Sequence, residues 1–321
     1  MIKTILLFFL FFPAIISSQQ IAFIQKDDSA LLFKRAIDTS NTTSQSSGYD
    51  FNTKSTFNNL NTNPVYEWKW TRDGIWTGTS IGVSIAGLIL SRSKKGILLE
   101  DQDRFLNNEN LQIEIDKIPA INRWAAGKNS EDARLISDAI LYASLTAPIV
   151  LLFNDNINEQ AGEYIAIYIQ SLATTCALYS LTARFVDKSR PFVYDNSGKT
   201  SEYKRFKNNG QRSFYSGHVA ATATATFFAA KAYCDFNPNM TGKGFVWAGA
   251  AAIPAAMGFL RIESGQHFLT DVLVGYTLGA ATGILVPELH KKKYENIDIY
   301  PSASTSFNGD RHAGVSFRYT F

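Results

Sequence analysis

Arg261, His267 and Asp271 are spaced in a way that suits nucleophilic catalysis. His267 and Asp271 are four positions apart, so at the start of a helix they would share one face. A carboxylate in that position can hold one imidazole nitrogen and leave the other free to attack an electrophile. Arg261 can reach the same pocket from the preceding helix end. A surface ion pair beside a histidine would have the same spacing, so the motif alone leaves both interpretations open.

Ser216, Gly217 and His218 form a second motif at the start of another apolar segment. Serine is a good N-cap residue, and the free backbone N–H groups in the first turn of a helix bind phosphate readily. A histidine at this position would lie beside any anion that those amides hold. An ordinary capped helix with an incidental histidine would explain the same three residues.

A third, basic group lies at the end of a further apolar segment, where Arg184, Lys188 and Arg190 precede Pro191. Basic residues clustered at a helix end can clamp an anion. Their favourable interaction with the helix macrodipole is the alternative explanation. As with the other two motifs, the residues taken alone do not decide between binding and structure.

The order of the motifs along the chain is more specific than any one of them. Arg-Pro, then Ser-Gly-His, then Arg-x5-His-x3-Asp resembles the type 2 phosphatidic acid phosphatase superfamily. That superfamily also includes class A non-specific acid phosphatases and vanadium haloperoxidases. The resemblance covers about residues 134–288 and includes the position of each motif at a helix end.

The resemblance implies a role for each matching residue. His267 would be the nucleophile that forms a phosphohistidine, and Asp271 would orient it. His218 would protonate the leaving oxygen and then activate water for dephosphorylation. The phosphoryl oxygens would be held by positive side chains and backbone amides, namely those of Arg190, Arg261, Ser216 and Gly217.

The sequence departs from the superfamily's pattern beside each motif. The first motif usually begins with a lysine seven positions before its arginine, and Ala183 stands there. Arg184, one residue later, or Lys188, in the following loop, could supply the missing phosphate-binding charge. We favour Arg184, because a rigid helix end positions a donor better than a loop does. Tyr215 and Leu260 stand where the superfamily prefers proline and serine.

The predicted chemistry requires no metal and no other cofactor. Phosphoryl transfer needs concentrated positive charge and oriented donors around phosphorus, which arginines and a helix N-terminus provide. With two cysteines, the chain cannot build a zinc site from several thiolates. The net charge of +3 gives no indication of nucleic-acid binding.

Six long apolar segments separated by polar connectors occupy the middle of the chain. Each is too long for a strand, and most are rich in alanine, which favours helix. Because no strand pattern lies between them, the sequence predicts an all-α, six-helix bundle. The segments are 75–90, 134–153, 161–186, 217–234, 244–260 and 268–287.

The ends of the chain differ from this helical domain, which we place at residues 73–288. Residues 1–18 have the positive start, the apolar run and the small residues of a secretory signal peptide. Residues 19–72 form a polar arm rich in Asn, Ser and Thr. Residues 289–321 form a tail with alternating polarity, which predicts a short β-hairpin around Asn308-Gly309.

The remaining two histidines of the chain, His290 and His312, look like solvated surface residues. His290 belongs to the basic run that follows the last apolar segment, and His312 belongs to the tail. Neither is therefore expected to take part in the chemistry.

The predicted localisation contains a conflict. If the N-terminus is exported, residue 72 lies outside, and three spans would carry Arg190 and Ser216 to the cytoplasmic side. Members of the superfamily that act on lipid phosphates face the periplasm. Either the segment 75–90 does not cross, or the bundle is soluble in the periplasm. We favour an exported, membrane-associated envelope protein with a periplasm-facing site.

The sequence predicts a metal-independent phosphatase that acts on phosphate monoesters or pyrophosphates. The expected partner is a phosphorylated lipid of the phosphatidate, phosphatidylglycerophosphate or undecaprenyl pyrophosphate type, or a small phosphate ester. One alternative is a soluble periplasmic non-specific acid phosphatase. Two others are a vanadium haloperoxidase with vanadate on His267 and a non-enzymatic envelope protein whose site has decayed.

Overall fold

The apolar segments form long α-helices in the computed structural model, which describes residues 64–292 and the backbone of residues 297–305 and 311–319. The prediction of an all-α fold is confirmed. The described helices are α1 (Trp70–Arg92), α2 (Leu99–Leu106), α3 (Asn108–Asp116), α4 (Ala120–Arg123), α5 (Glu131–Val150), α6 (Asp155–Asn158), α7 (Ala161–Phe185), α8 (Glu202–Phe206), α9 (Gly217–Phe236), α10 (Lys243–Glu263) and α11 (Leu269–His290).

Six of these helices, α1, α5, α7, α9, α10 and α11, have between 20 and 25 residues and overlap the six apolar segments. Local sequence contributes to their ends. At the start of α5, for example, the Ser130 hydroxyl accepts a hydrogen bond from the Ala133 amide at 3.2 Å. The five shorter helices lie in the connectors, so the described helices outnumber the predicted six.

Helix α9 lies at the centre of the bundle, and most of its residues are buried. A glycine stripe on α11 lets the two helices approach closely: a Cβ at Gly279 would overlap the carbonyl oxygen of Ala220. In the same contact, Thr224 Oγ1 donates to the Gly279 carbonyl at 3.1 Å. Gly275 and Gly283 face the α9 backbone in the same way. This contact places the N-terminal ends of α9 and α11 side by side.

The long helices run alternately up and down, so the bundle has two ends. We call the end that carries all three sequence motifs the motif end. It comprises the connectors 93–130, 186–216 and 264–268, which meet in contacts such as that between the Phe192 amide and the Gly265 carbonyl at 3.0 Å. The opposite end comprises residues 64–69, 151–160 and 237–242.

Five of the long helices are long and apolar enough to cross a membrane. Their outer faces expose large apolar side chains, including Ile85, Ile136, Phe259 and Leu273. Helix α9, which is enclosed by its neighbours, does not belong to this group. These features support association with a membrane. The five helical ranges are Trp70–Arg92, Glu131–Phe153, Ala161–Phe185, Lys243–Glu263 and Leu269–His290.

His290 is buried at the opposite end, so its interpretation as a solvated residue is wrong. Only 2% of its surface is exposed, and its Nε2 lies 3.2 Å from Asp73 Oδ1. The ring stacks on Trp68 with a centroid separation of 5.8 Å. The burial arises because the chain before α1 crosses the end of α11, where the Glu67 amide donates to the His290 carbonyl at 2.8 Å.

Two strands follow the bundle, β1 (Ile297–Thr305) and β2 (Arg311–Tyr319). They pair antiparallel, with Ile297 opposite Tyr319. The Asn308-Gly309 turn that the sequence predicts lies outside the described residues, as does the predicted signal peptide at 1–18.

Candidate active site

Lys188 and Arg190 belong to a short extended segment that follows α7. The Arg190 amide donates to the Gly210 carbonyl at 2.8 Å, and the Ser213 amide donates to the Lys188 carbonyl at 3.0 Å. Alternate side chains of an extended backbone point to opposite sides, so Lys188 and Arg190 share a side. The pairing ties the first motif to the residues that lead into the second.

The His267 ring is held in one tautomer by the backbone. Its Nδ1 lies 2.6 Å from the carbonyl oxygen of Ser213. Since a carbonyl can only accept, Nδ1 carries the proton and the lone pair is on Nε2. Burial of the ring, together with the nearby Arg190 and Arg261, places the pKa of His267 well below the usual histidine value. The ring is therefore neutral at neutral pH, as a nucleophile requires.

Asp271 does not contact His267 directly, which corrects the predicted pairing. His267 precedes Phe268, the N-cap residue of α11, so the two side chains do not share the helical face that their spacing implied. The Asp271 carboxylate instead accepts from Ser213 Oγ at 2.6 Å and from the Phe268 amide at 3.1 Å. Because the Ser213 carbonyl contacts His267, Asp271 and the imidazole are linked through Ser213.

Lys188, rather than Arg184, lies beside the third motif. Lys188 Nζ is 2.6 Å from Asp271 Oδ1 and donates to Thr270 Oγ1 at 3.2 Å. Arg184, in the last turn of α7, lines a different groove together with Lys95. The structure therefore places Lys188, and not the favoured Arg184, beside the third motif, because the extended loop turns Lys188 toward it.

His218, the second residue of α9, pairs with a carboxylate that the sequence analysis missed. Its Nε2 lies 3.1 Å from Asp138 Oδ1. Asp138 is also 3.4 Å from Arg261 Nη1 and 3.4 Å from Arg134 Nη1. Burial and the nearby Arg261 lower the pKa of His218 to about 4, against the opposing effect of Asp138. The signal that could have indicated Asp138 is an acidic residue within an otherwise apolar segment.

Arg190 and Arg261 supply buried positive charge, with 1% and 2% of their surfaces exposed. Arg190 Nε donates to the Arg212 carbonyl at 3.2 Å, and its Nη1 donates to Gln266 Oε1. Arg261 Nη1 donates to Ser137 Oγ at 3.1 Å. Burial lowers the pKa of Arg190 to about 9, so this guanidinium remains charged at neutral pH. Both cations are thus fixed before any anion binds.

Ser216 and Gly217 stand at the start of α9, as the motif predicts, but they differ in what they can offer an anion. The Ser216 amide already donates to the Asp271 carbonyl at 3.1 Å, so it is not free for phosphate, which corrects that assignment. Gly217 packs against the Tyr179 ring, and a Cβ at this position would lie 2.9 Å from it. Of the two amides, that of Gly217 remains a candidate anion ligand.

The motif end thus brings together a neutral imidazole, a second imidazole with a carboxylate partner, and three cations. Such a set can bind a tetrahedral dianion and attack its central atom. In the part of the chain that the structure describes, no group of three or more His, Cys, Asp or Glu side chains could hold a metal ion.

Comparison with known proteins is consistent with the motifs. The PAP2 superfamily matches residues 164–295, which include Arg190, Ser216-Gly217-His218 and Arg261 to Asp271. The resemblance to this superfamily is therefore confirmed over that part of the chain. No curated protein gives a significant match.

One solved structure is similar to the described fold. It carries the description "Crystal structure of the first transmembrane PAP2 type phosphatidylglycerolphosphate phosphatase from Bacillus subtilis". The two chains are 20% identical, the match covers 65% of this chain and 94% of that one, and the TM-score is 0.41.

Proposed function

We propose that the protein is a metal-independent phosphatase that hydrolyses a phosphate monoester or pyrophosphate of a lipid through a phosphohistidine intermediate. The observation that carries the proposal is the buried Nε2 lone pair of His267. The Ser213 carbonyl fixes this lone pair, and Arg190 and Arg261 lie close enough to the ring to lower its pKa. The PAP2 superfamily match supports phosphatase activity.

The first step transfers the phosphoryl group to the protein. Nε2 of His267 forms a bond to phosphorus while the bond from phosphorus to the leaving oxygen breaks. The leaving oxygen takes a proton from His218. Arg190, Arg261 and Lys188 stabilise the negative charge that spreads over the equatorial oxygens in the transition state.

The second step releases phosphate. A water oxygen bonds to phosphorus, the bond from phosphorus to His267 breaks, and the water proton passes to His218. Because Asp138 holds Nε2 of His218, Nδ1 is the nitrogen available for these proton transfers. Asp138 also stabilises the His218 imidazolium, from which the leaving oxygen takes its proton and which the second step regenerates, so Asp138 is a positioning residue for the acid.

The lipid nature of the substrate is supported by the outer surface of the bundle. Five helices are long and apolar enough to cross a membrane, and the site lies at one end of them. A phosphate at the motif end would then be at headgroup depth, with its lipid chains beside the apolar helices. We propose a membrane-associated envelope protein whose site faces the periplasm.

The test is phosphate release by detergent-purified protein from phosphatidate, phosphatidylglycerophosphate, undecaprenyl pyrophosphate and p-nitrophenyl phosphate. We expect turnover of at least one lipid, survival of activity in EDTA, and an acid-labile phosphoenzyme that is absent from His267→Ala. A variant at His290, which is also buried but lies at the opposite end, should still form the phosphoenzyme.

Other outcomes would contradict the proposal. Faster turnover of p-nitrophenyl phosphate than of every lipid would favour a non-specific acid phosphatase. Halide oxidation that depends on vanadate would indicate a haloperoxidase. Near-normal phosphate release by His267→Ala would exclude the histidine nucleophile.

A further inference from the structure

A second basic groove lies at the motif end, on the other side of the extended segment from the site. It is a cavity of about 640 Å³ between the connector that follows α1 and the end of α7. Ser189 lines it, whereas the neighbouring Lys188 and Arg190 face the catalytic cluster. We call this cavity the lysine-arginine groove; the charged residues that line it are Lys94, Lys95, Asp101, Arg104, Arg184 and Asp187.

The charges of the lysine-arginine groove do not cancel. Lys94 pairs with Asp187 at 2.8 Å, and Arg104 pairs with Asp101 at 2.8 Å. The two cations that remain, Lys95 and Arg184, make no ion pair among the described residues. The groove therefore presents an excess of two positive charges, which suits an anion.

The wall of the groove is fixed. Lys94 Nζ is buried and donates to the Ala183 carbonyl at 3.3 Å and to the Val186 carbonyl at 2.5 Å. This ammonium group covers the carbonyls at the end of α7, which would otherwise repel an anion. The Ile97 amide donates to the Phe206 carbonyl at 2.8 Å and anchors the connector.

The position of the groove indicates the source of the anion. It lies where α1 and α7 end, and both helices are long and apolar enough to cross a membrane. Large apolar side chains beside it are exposed: 50% of Leu98, 84% of Leu99 and 75% of Phe185. Cations above an apolar rim at a helix end match the phosphate and the upper acyl chain of a bilayer lipid.

We propose that the lysine-arginine groove binds the phosphodiester headgroup of an anionic phospholipid in the surrounding bilayer, separately from the phosphate that reacts. This inference rests on the membrane association in the proposed function, but it does not depend on catalysis. Phosphatidylglycerol is the probe of choice, because it has an anionic phosphodiester and no monoester that the site could hydrolyse.

The experiment is native mass spectrometry of the full-length protein in the His267→Ala background, with added phosphatidylglycerol, phosphatidylcholine or phosphatidylglycerophosphate. We expect one retained phosphatidylglycerol, whose apparent affinity falls at least about fivefold in Lys95→Gln/Arg184→Gln. Retention of phosphatidylcholine should not change. The matched control, Lys199→Gln/Lys204→Gln, removes two exposed cations elsewhere at the motif end and should retain phosphatidylglycerol normally.

Three results would overturn the inference. One is equal retention of both lipids by the unsubstituted groove, and another is equal loss in the groove variant and the control. A third is weakened retention of phosphatidylglycerophosphate but not of phosphatidylglycerol, which would make the groove part of the substrate pocket.

Thermal unfolding of each variant identifies misfolding; a misfolded double variant is replaced by the single Lys95→Gln. Failure of the proposed function would appear separately, as absent phosphate release in the unsubstituted protein.

Discussion

At the scale of single residues, the reactivity of the site depends on which polar atoms already have hydrogen-bond partners within the protein. Asp271 accepts from Ser213 Oγ and from the Phe268 amide, and it pairs with Lys188. These hydrogen bonds tie Asp271 to the backbone beside His267 and hold the Lys188 ammonium, which has three N–H donors and uses two of them on Asp271 and Thr270.

The first prediction concerns the cation of the first motif. Lys188→Ala should lower kcat/KM by an amount equivalent to about 2–4 kcal/mol, the scale of one charge donor in the transition state. Arg184→Ala should change kcat/KM for a soluble substrate far less, because Arg184 lines another groove. Steady-state kinetics of the two variants on p-nitrophenyl phosphate provide the comparison. A large loss for Arg184→Ala alone would restore the assignment made from the sequence.

The second prediction concerns Asp138, whose carboxylate stabilises the protonated form of His218. Asp138→Asn should lower kcat/KM about tenfold to a hundredfold for an alkyl phosphate, whose leaving oxygen needs a proton. The loss should be small for p-nitrophenyl phosphate, a good leaving group. Asp132→Asn, an exposed change on the same helix, is the matched control. An equal loss on both substrates would mean that Asp138 serves only to hold the structure.

The third prediction concerns pH. His218 has a pKa of about 4, lowered by burial and Arg261, and the pKa of His267 is also depressed, so these two imidazoles are neutral in the free protein at neutral pH. The proton for the leaving oxygen must then be brought by the substrate in its monoanionic form. A phosphate monoester loses this proton at a pKa of about 6. We expect kcat/KM for a soluble alkyl phosphate to fall about tenfold per pH unit above that value. A plateau that extends to about pH 8 would show that His218 is protonated in the free protein.

At the scale of elements, the site depends on the contact between α9 and α11. The Ser216 amide donates to the Asp271 carbonyl where the two helices begin, so a change in their separation would move the second motif relative to the third. The glycine stripe sets this separation, since Gly279 lies against the backbone of Ala220.

The fourth prediction tests this contact. Gly279→Ala should destabilise the protein by about 1–3 kcal/mol, because the added Cβ would overlap a backbone carbonyl that cannot easily move. Gly82→Ala is the matched control: a Cβ there has nothing within 4 Å, so it should be neutral or slightly stabilising. Thermal unfolding in detergent measures both. Equal unfolding temperatures for the two variants would show that α9 and α11 can separate at low cost.

The helices could be predicted from the sequence because each is a long apolar segment whose composition favours helix whatever its neighbours are. The contact of His267 with the Ser213 carbonyl could not be predicted, because it depends on whether α11 begins before or after His267. The pairing of Asp138 requires α5 to lie against α9 and α10. Likewise, His290 is buried only because residues 64–69, distant in sequence, cover the end of α11. Local sequence patterns do not show which distant segments come into contact, so these three pairings could not be predicted.

At the scale of the whole molecule, the order of the helices constrains the membrane topology. Helix α1 packs along α7, and Trp76 Nε1 donates to Thr174 Oγ1 at 3.1 Å within this contact. Because α1 lies within the bundle, it crosses wherever α7 crosses, which removes the explanation that its segment stays outside. Three long helices, α1, α5 and α7, separate Trp70 from Arg190, so these residues lie at opposite ends.

In a bundle that spans the membrane, an exported residue 72 and a periplasm-facing site are therefore incompatible. A periplasm-facing site requires the end that holds Trp70 to face the cytoplasm. Export of that end would place the catalytic cluster in the cytoplasm. Residue 72 and the site could both lie in the periplasm only if the bundle rested on the membrane without crossing it.

The last prediction distinguishes these arrangements. In a background without Cys176 and Cys234, single cysteines replace Asp103, exposed at the motif end, and Asn239, exposed at the opposite end. Intact spheroplasts are then treated with a maleimide that cannot cross the membrane, and lysed cells serve as the control for full labelling. Because five helices are long and apolar enough to cross, we expect one position and not the other to be labelled in intact cells.

Labelling at Asp103→Cys alone places the site in the periplasm, and labelling at Asn239→Cys alone places it in the cytoplasm. Equal labelling of both positions would contradict a spanning bundle, and the apolar outer faces of α1, α5, α7, α10 and α11 would then need another partner to cover them.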